Sequence, residues 1–170
     1  YQQQMAIEYT LRLREVLSEL PPFCRDFFRA IEPTTSPKTR ISYAYDLRIF
    51  FKFLLERNPQ FKGMALKDFT IDVNVLDQVK ALDIEEYQEY LKVYDANDKL
   101  IMNTEKGLSR KMSSLRSFYN YYFKHQLIRT NPALFVSMPK LHQKAIIKLD
   151  IDEVASLLDY IENCGDSLKG

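Results

Sequence analysis

Residues 34–59 read TTSPKTRISYAYDLRIFFKFLLERNP, and no other stretch limits the fold so strongly. Ser36 is a good N-cap, and Pro37 stands at the first helical position, where its missing N–H costs nothing. Asn58-Pro59 marks the far end of the helix. Between these signals Tyr43, Leu47, Phe50 and Leu54 recur at helical spacing, the stripe of a helix with one face in a core. A second row, Lys38, Ser42, Tyr45, Arg48 and Lys52, lies on another face. The helix therefore carries an aromatic anchor on one side and donors on another. Ser36, Lys38 and Thr39 also sit where free backbone N–H groups and the positive end of the dipole collect, a natural phosphate cradle.

Residues 104–125 repeat the design. Leu108, Met112, Leu115, Tyr119 and Tyr122 form an apolar stripe. Lys106, Arg110, Ser113 or Ser114, and Ser117 form a polar stripe of small residues between cations, with Lys111 at its border. Small side chains there would let the helix approach a groove while Arg110 reaches a base edge or a phosphate.

The remaining chain also reads helical. Tyr9, Leu13, Val16, Leu17 and Leu20 give residues 5–20 a helical spacing that Pro21-Pro22 ends, and residues 23–31 form a short aromatic helix. In residues 60–82, Val73, Val75 and Val79 fit either a short strand or a helical turn near Leu76. Asp83 is expected to cap a helix over 84–93, with Glu85 and Glu86 in its first turn, and residues 94–103 read as a loop. Asn131-Pro132 opens a brief helix to Val136, residues 137–148 read as an extended basic linker, and Asp150 begins a new amphipathic helix. With only 4 Gly in 170 residues and few β-branched runs, the fold class is all-α.

Charge is segregated. Residues 34–57 carry Lys38, Arg40, Arg48, Lys52 and Arg57 against two anions, and residues 103–144 set eight cations against Glu105 alone. Residues 60–102 are net acidic, and residues 150–170 hold six anions and one cation. The total of +1 thus hides basic segments suited to a polyanion. Cys24 and Cys164 lack metal-type spacing and suggest a reduced, cytoplasmic protein. No run of about 18 apolar residues and no secretory signal points to a membrane. No Gly-rich phosphate loop, metal cluster or Ser/His/Asp arrangement is visible, so no cofactor is expected. Starting at Tyr1 and ending after a helix-like segment, the chain reads as a piece of something longer. A cationic helix face is most often simply solvated, and composition alone leaves two readings open: duplex DNA binding, or a helical protein-interaction module whose basic faces meet acidic partners.

TSPKTRISYAYDLRIFFKFL resembles the pattern S-x-x-T-x-x-x-Y-x-x-D-L-x-x-F-x-x-F-L that opens the core-binding domain of tyrosine recombinases, the phage-integrase and Xer family. Thr39, Tyr43, Asp46, Leu47, Phe50, Phe53 and Leu54 fill its positions. SRKMSSLRSFYNYYFKHQLIRTNPALFVSMPK resembles the family's last core-binding helix, its Asn-Pro turn and its linker, through Arg110, Met112, Ser113, Leu115, Arg116, Phe118, Tyr119, Asn131, Pro132, Pro139 and Lys140. KLDIDEVASLLDYI resembles the opening helix of the catalytic domain.

The resemblance implies a helical core-binding domain of the SAM-like type, an orthogonal helical bundle forming half of a clamp on a recombination site in double-stranded DNA. The expected organisation is an N-terminal helical extension (1–33), the core-binding domain (34–136), a linker (137–149) and the start of a truncated catalytic domain (150–170). Family positions that touch DNA fall on Thr39, Ser42, Tyr45, Lys106, Arg110 and Ser114. With the polar rows, the expected contact set becomes Ser36, Lys38, Thr39, Ser42, Tyr45, Arg48, Lys106, Arg110, Lys111, Ser114, Ser117 and Lys140. Partners would be DNA and other recombinase protomers, with the protein at the nucleoid when bound. The family's chemistry uses a tyrosine nucleophile with arginines, a lysine and histidines, and none is carried over, because the chain stops before that part. Tyr119, Tyr121 and Tyr122 are expected to serve packing or an interface, His125 to complement a helix dipole, and His142 at most to touch a phosphate. Residues 59–83, 94–103 and 1–33 exceed the shortest family members, and the last could pack on the domain or meet a neighbouring protomer.

Overall fold

The computed structural model describes residues 1–61, 63–64 and 72–140. Its elements are α1 (Gln2–Ser18), α2 (Cys24–Ile31), α3 (Pro37–Arg57), α4 (Val75–Gln78), α5 (Ala81–Tyr90), β1 (Val93–Ala96), β2 (Lys99–Met102) and α6 (Glu105–Lys124). Short 3-10 turns occupy Glu32–Thr34, Pro59–Phe61 and Pro132–Phe135. The chain divides after Pro139, and the helices named here belong to the first unit, Tyr1–Pro139. The expected linker beyond Lys140 and the helix from Asp150 lie outside the described residues.

α3 is the spine: α1 and α6 both pack along it, and α2 rests on α6. Both expected helix starts are capped. Ser36 accepts the Thr39 amide at 3.2 Å, and Thr104 accepts the Gly107 amide at 3.1 Å. Leu47, Phe50 and Leu54 from α3 meet Met112, Leu115, Phe118, Tyr119 and Tyr122 from α6 in one buried core. Phe118 makes edge-to-face contacts with Phe27, Phe51 and Tyr122 at centroid distances of 5.3, 6.0 and 4.9 Å. Each such pair adds about 0.5–1.5 kcal/mol beyond its buried area. The N-terminal segment belongs to this core: Val16, Leu20, Cys24 and Phe27 are buried, and Tyr122 donates its hydroxyl to the Phe23 carbonyl at 2.7 Å. Residues 1–33 thus include side chains that pack on the rest of this unit.

Several local expectations are corrected. Residues 94–103 are largely a β-hairpin, not a loop, with Val93 opposite Met102 and Ala96 opposite Lys99. Asn97 and Asp98 at φ 51° and 62° form its two-residue turn, a left-handed pair whose twist suits a hairpin. For valine-rich residues 73–79, which fit either a strand or a helical turn near Leu76, the structure has the helical turn, α4. Asp83 is not the N-cap of its helix. It stands in the first turn of α5 and accepts the Lys80 amide at 2.9 Å, so the helix begins and ends about three residues earlier than its charges suggested. The turn after Asn131 is 3-10 and short.

Candidate nucleic-acid interface

The α3 face begins at Ser36, whose hydroxyl lies 2.9 Å from that of Thr39 while also capping the helix. Both hydroxyls are therefore partly committed, with Lys38 exposed beside them. Arg40 is a structural cation. It is buried, and its Nη1 donates to the carbonyls of Glu32, at 2.9 Å, and Thr35, fastening the turn before α3. Ser42 and Tyr45 are half-buried on the face. Arg48 stacks its guanidinium over the Tyr45 ring, 5.0 Å from the centroid, and meets Glu19 at 2.6 Å. Its charge is thus partly cancelled. Lys52 is exposed.

On α6 the structure separates residues that periodicity grouped. Lys106 and Ser113 are exposed and Ser117 is half-buried. Ser114 is buried and donates its hydroxyl to the Lys111 carbonyl at 2.8 Å, so the choice between Ser113 and Ser114 falls to Ser113. Lys111 is also buried, with Nζ donating to Asn103 Oδ1 at 2.7 Å, and burial lowers its pKa. Neither Ser114 nor Lys111 presents its polar group on the outer face, a correction to both. Lys140 is exposed but falls outside the unit that carries the helices.

Arg110 joins the two helices. Its Nη2 reaches Asp46 Oδ1 on α3 at 3.1 Å, while the arginine side chain stays 53% exposed and the aspartate only 2%. Burial pushes the Asp46 carboxyl above its ordinary range, opposed by the nearby Arg110 and Lys111 charges and by hydrogen bonding from Arg110 and Ser114. The single Ser114 proton goes to the Lys111 carbonyl, with Asp46 as its alternative acceptor. Asp46 lies one turn beyond Ser42 on the same row of α3, so the guanidinium of α6 comes to the row that carries Ser42. The importance of Asp46 was missed as electrostatics. Sequence showed an anion inside a basic helix, but nothing local said what it would face.

Arg116, half-buried, donates to the carbonyls of Ala133 at 3.3 Å and Val136 at 2.7 Å, tying α6 to the turn beyond it. The tyrosines of α6 are packing groups: Tyr119 and Tyr122 are buried, burial raises both phenol pKa values, and Tyr119 donates to the Leu76 carbonyl at 3.2 Å. His125 closes α6 as its C-cap, with its ring against Tyr121. Among the described residues no helix is long and apolar enough to cross a membrane.

Comparison with known proteins gives one consistent answer. The chain is 33% identical over 150 residues to a "Tyrosine recombinase XerC" of Caldanaerobacter subterraneus, covering 84% of this chain and 40% of that protein. It is 28% identical over 130 residues to a protein of the same name from Leptospira interrogans, covering 76% and 35%. It is 31% identical over 125 residues to a "Tyrosine recombinase" of Pseudothermotoga lettingae, covering 74% and 37%. The chain thus spans roughly two fifths or less of the length of these relatives. No family model and no solved structure matches it. With its helical bundle, its two capped basic helices and these matches, the chain belongs to the tyrosine recombinase family, of which it represents the N-terminal region.

Proposed function

We propose that residues 34–136 bind duplex DNA as the core-binding domain of a site-specific tyrosine recombinase, with α3 and α6 facing the DNA and the domain forming half of a clamp. The observation that carries this reading is the Arg110–Asp46 bridge of 3.1 Å, which draws the polar row of α6 to that of α3. The surface set under this reading is Lys38, Thr39, Ser42, Tyr45, Lys52, Lys106, Arg110, Ser113 and Ser117. Ser36 contributes through its backbone, and Arg48 in part. Breaking and rejoining of DNA strands would belong to the longer parent protein, assembled with other recombinase protomers, through residues outside those described. The fragment itself supplies binding.

Titration of a labelled duplex at increasing salt tests the reading. Affinity should fall steeply, because each neutralised phosphate releases condensed counterions. Absence of duplex binding at low salt would overturn it and favour a helical module that binds acidic proteins.

A further inference from the structure

We propose that Asp46 is a positioning residue for Arg110: the buried carboxylate holds the guanidinium as an oriented, largely charge-neutralised fork that reads base edges instead of merely attracting phosphates. The proposal rests on the DNA-binding reading above and adds a source of sequence selectivity to it.

Stability alone gives a poor account of Asp46. It is buried; Oδ1 accepts from Arg110, and Oδ2 is left without a partner while Ser114 gives its proton to the Lys111 carbonyl. Taking a carboxylate out of water offsets much of what its ion pair returns, so a bridge of this kind is weak evidence for a stabilising role. What it does supply is a fixed point. Asp46 is locked in the core between α3 and α6, so the guanidinium it holds acquires a defined place while most of its five donors remain available. Lys111, the neighbouring cation, is engaged by Asn103 and leaves the bonded oxygen to Arg110. The arrangement matches the way an outer carboxylate orients a histidine that does the binding. Reading guanine through O6 and N7 needs a planar fork held at a set angle, which an unrestrained surface arginine lacks.

Asp46→Asn tests this, because the two explanations differ in sign. The substitution is nearly isosteric and removes a negative charge. If Asp46 only offsets charge, the variant binds every duplex more tightly. If Asp46 orients Arg110, affinity falls about tenfold for a duplex that the wild-type chain selects from a random pool, while affinity for unselected duplex holds or rises. Arg110→Lys keeps the charge and loses the planar fork, so it should show the same selective loss, with little added by Asp46→Asn in the double variant. In the free protein, the Arg110 Nε–Hε signal should show hindered rotation of the guanidinium in wild type and faster rotation in Asp46→Asn, whose neutral amide oxygen holds the fork more weakly. Tighter binding to both duplexes, or equal weakening on both with no loss of melting temperature, overturns the proposal. A wild-type chain that binds no duplex overturns the DNA reading itself, and the Arg110 signal then reports separately whether Asp46 orients it.

Discussion

Glu19, just past the end of α1, reaches Arg48 on the polar face of α3 at 2.6 Å. The N-terminal helix therefore does more than cover the core. It withdraws one cation from the face proposed to meet DNA. Glu19→Gln should release that charge, strengthen duplex binding severalfold at low salt and steepen its salt dependence by about one counterion. Since both side chains are partly exposed, thermal stability should change by only about 0.5 kcal/mol. Unchanged affinity and slope across a salt series would show that Arg48 stays away from the DNA.

Asp46 should give the fold a readable pH dependence. Its folded-state pKa is raised, chiefly by burial, so the folded chain holds this proton more tightly than the unfolded chain, whose value is about 3.9. The favourable contribution is complete below that value and is lost as pH rises through the raised folded one. Asp46→Asn removes this loss. Its melting temperature relative to wild type should therefore climb as pH rises from about 4. A difference that stays flat, or falls, across that series would contradict the direction.

Arg116 closes the C-terminal end of the bundle by donating to two backbone carbonyls, those of Ala133 and Val136. Arg116→Met keeps much of the packing but orphans both acceptors. A loss of about 2–3 kcal/mol is expected in chemical denaturation, at the upper end for bonds from a charged donor. Arg116→Lys should recover little, since one ammonium lacks the fork that spans both oxygens.

α6 ends in a left-handed residue that is not glycine. Gln126 has φ 59°, its amide bonds the Phe123 carbonyl, and the Leu127 amide bonds that of Tyr122, the two reverse bonds of a Schellman cap. A side chain costs conformational energy in this region, so Gln126→Gly should stabilise the fold by about 0.5–1 kcal/mol. The check is a melting curve, in which no rise would mean that the glutamine side chain makes compensating contacts.

How much of this was legible depended on range along the chain. The starts of α3 and α6 were written in Ser36-Pro37 and Thr104, because capping acts within one turn. Leu47, Phe50, Leu115 and Tyr119 announced their burial through spacing. The hairpin was missed because its turn is Asn97-Asp98, a pair without the glycine that usually marks it. Ser113 and Ser114 are adjacent, about 100° apart on a helix, and only the packing of α3 against α6 sends one outward and the other inward.

The sequence by itself determined the two long helices α3 and α6, the apolar faces that bind them together and their basic character. Each of these arises from residues a few positions apart. The tertiary structure alone decided which cations remain available. Arg48 is drawn to a partner 29 residues away and Arg110 to one 64 residues away, whereas Arg40 and Lys111 turn inward to backbone and side-chain acceptors. Charge is a property of composition, but its exposure depends on the distances and burial that folding sets, and those decide how strongly one ion feels another.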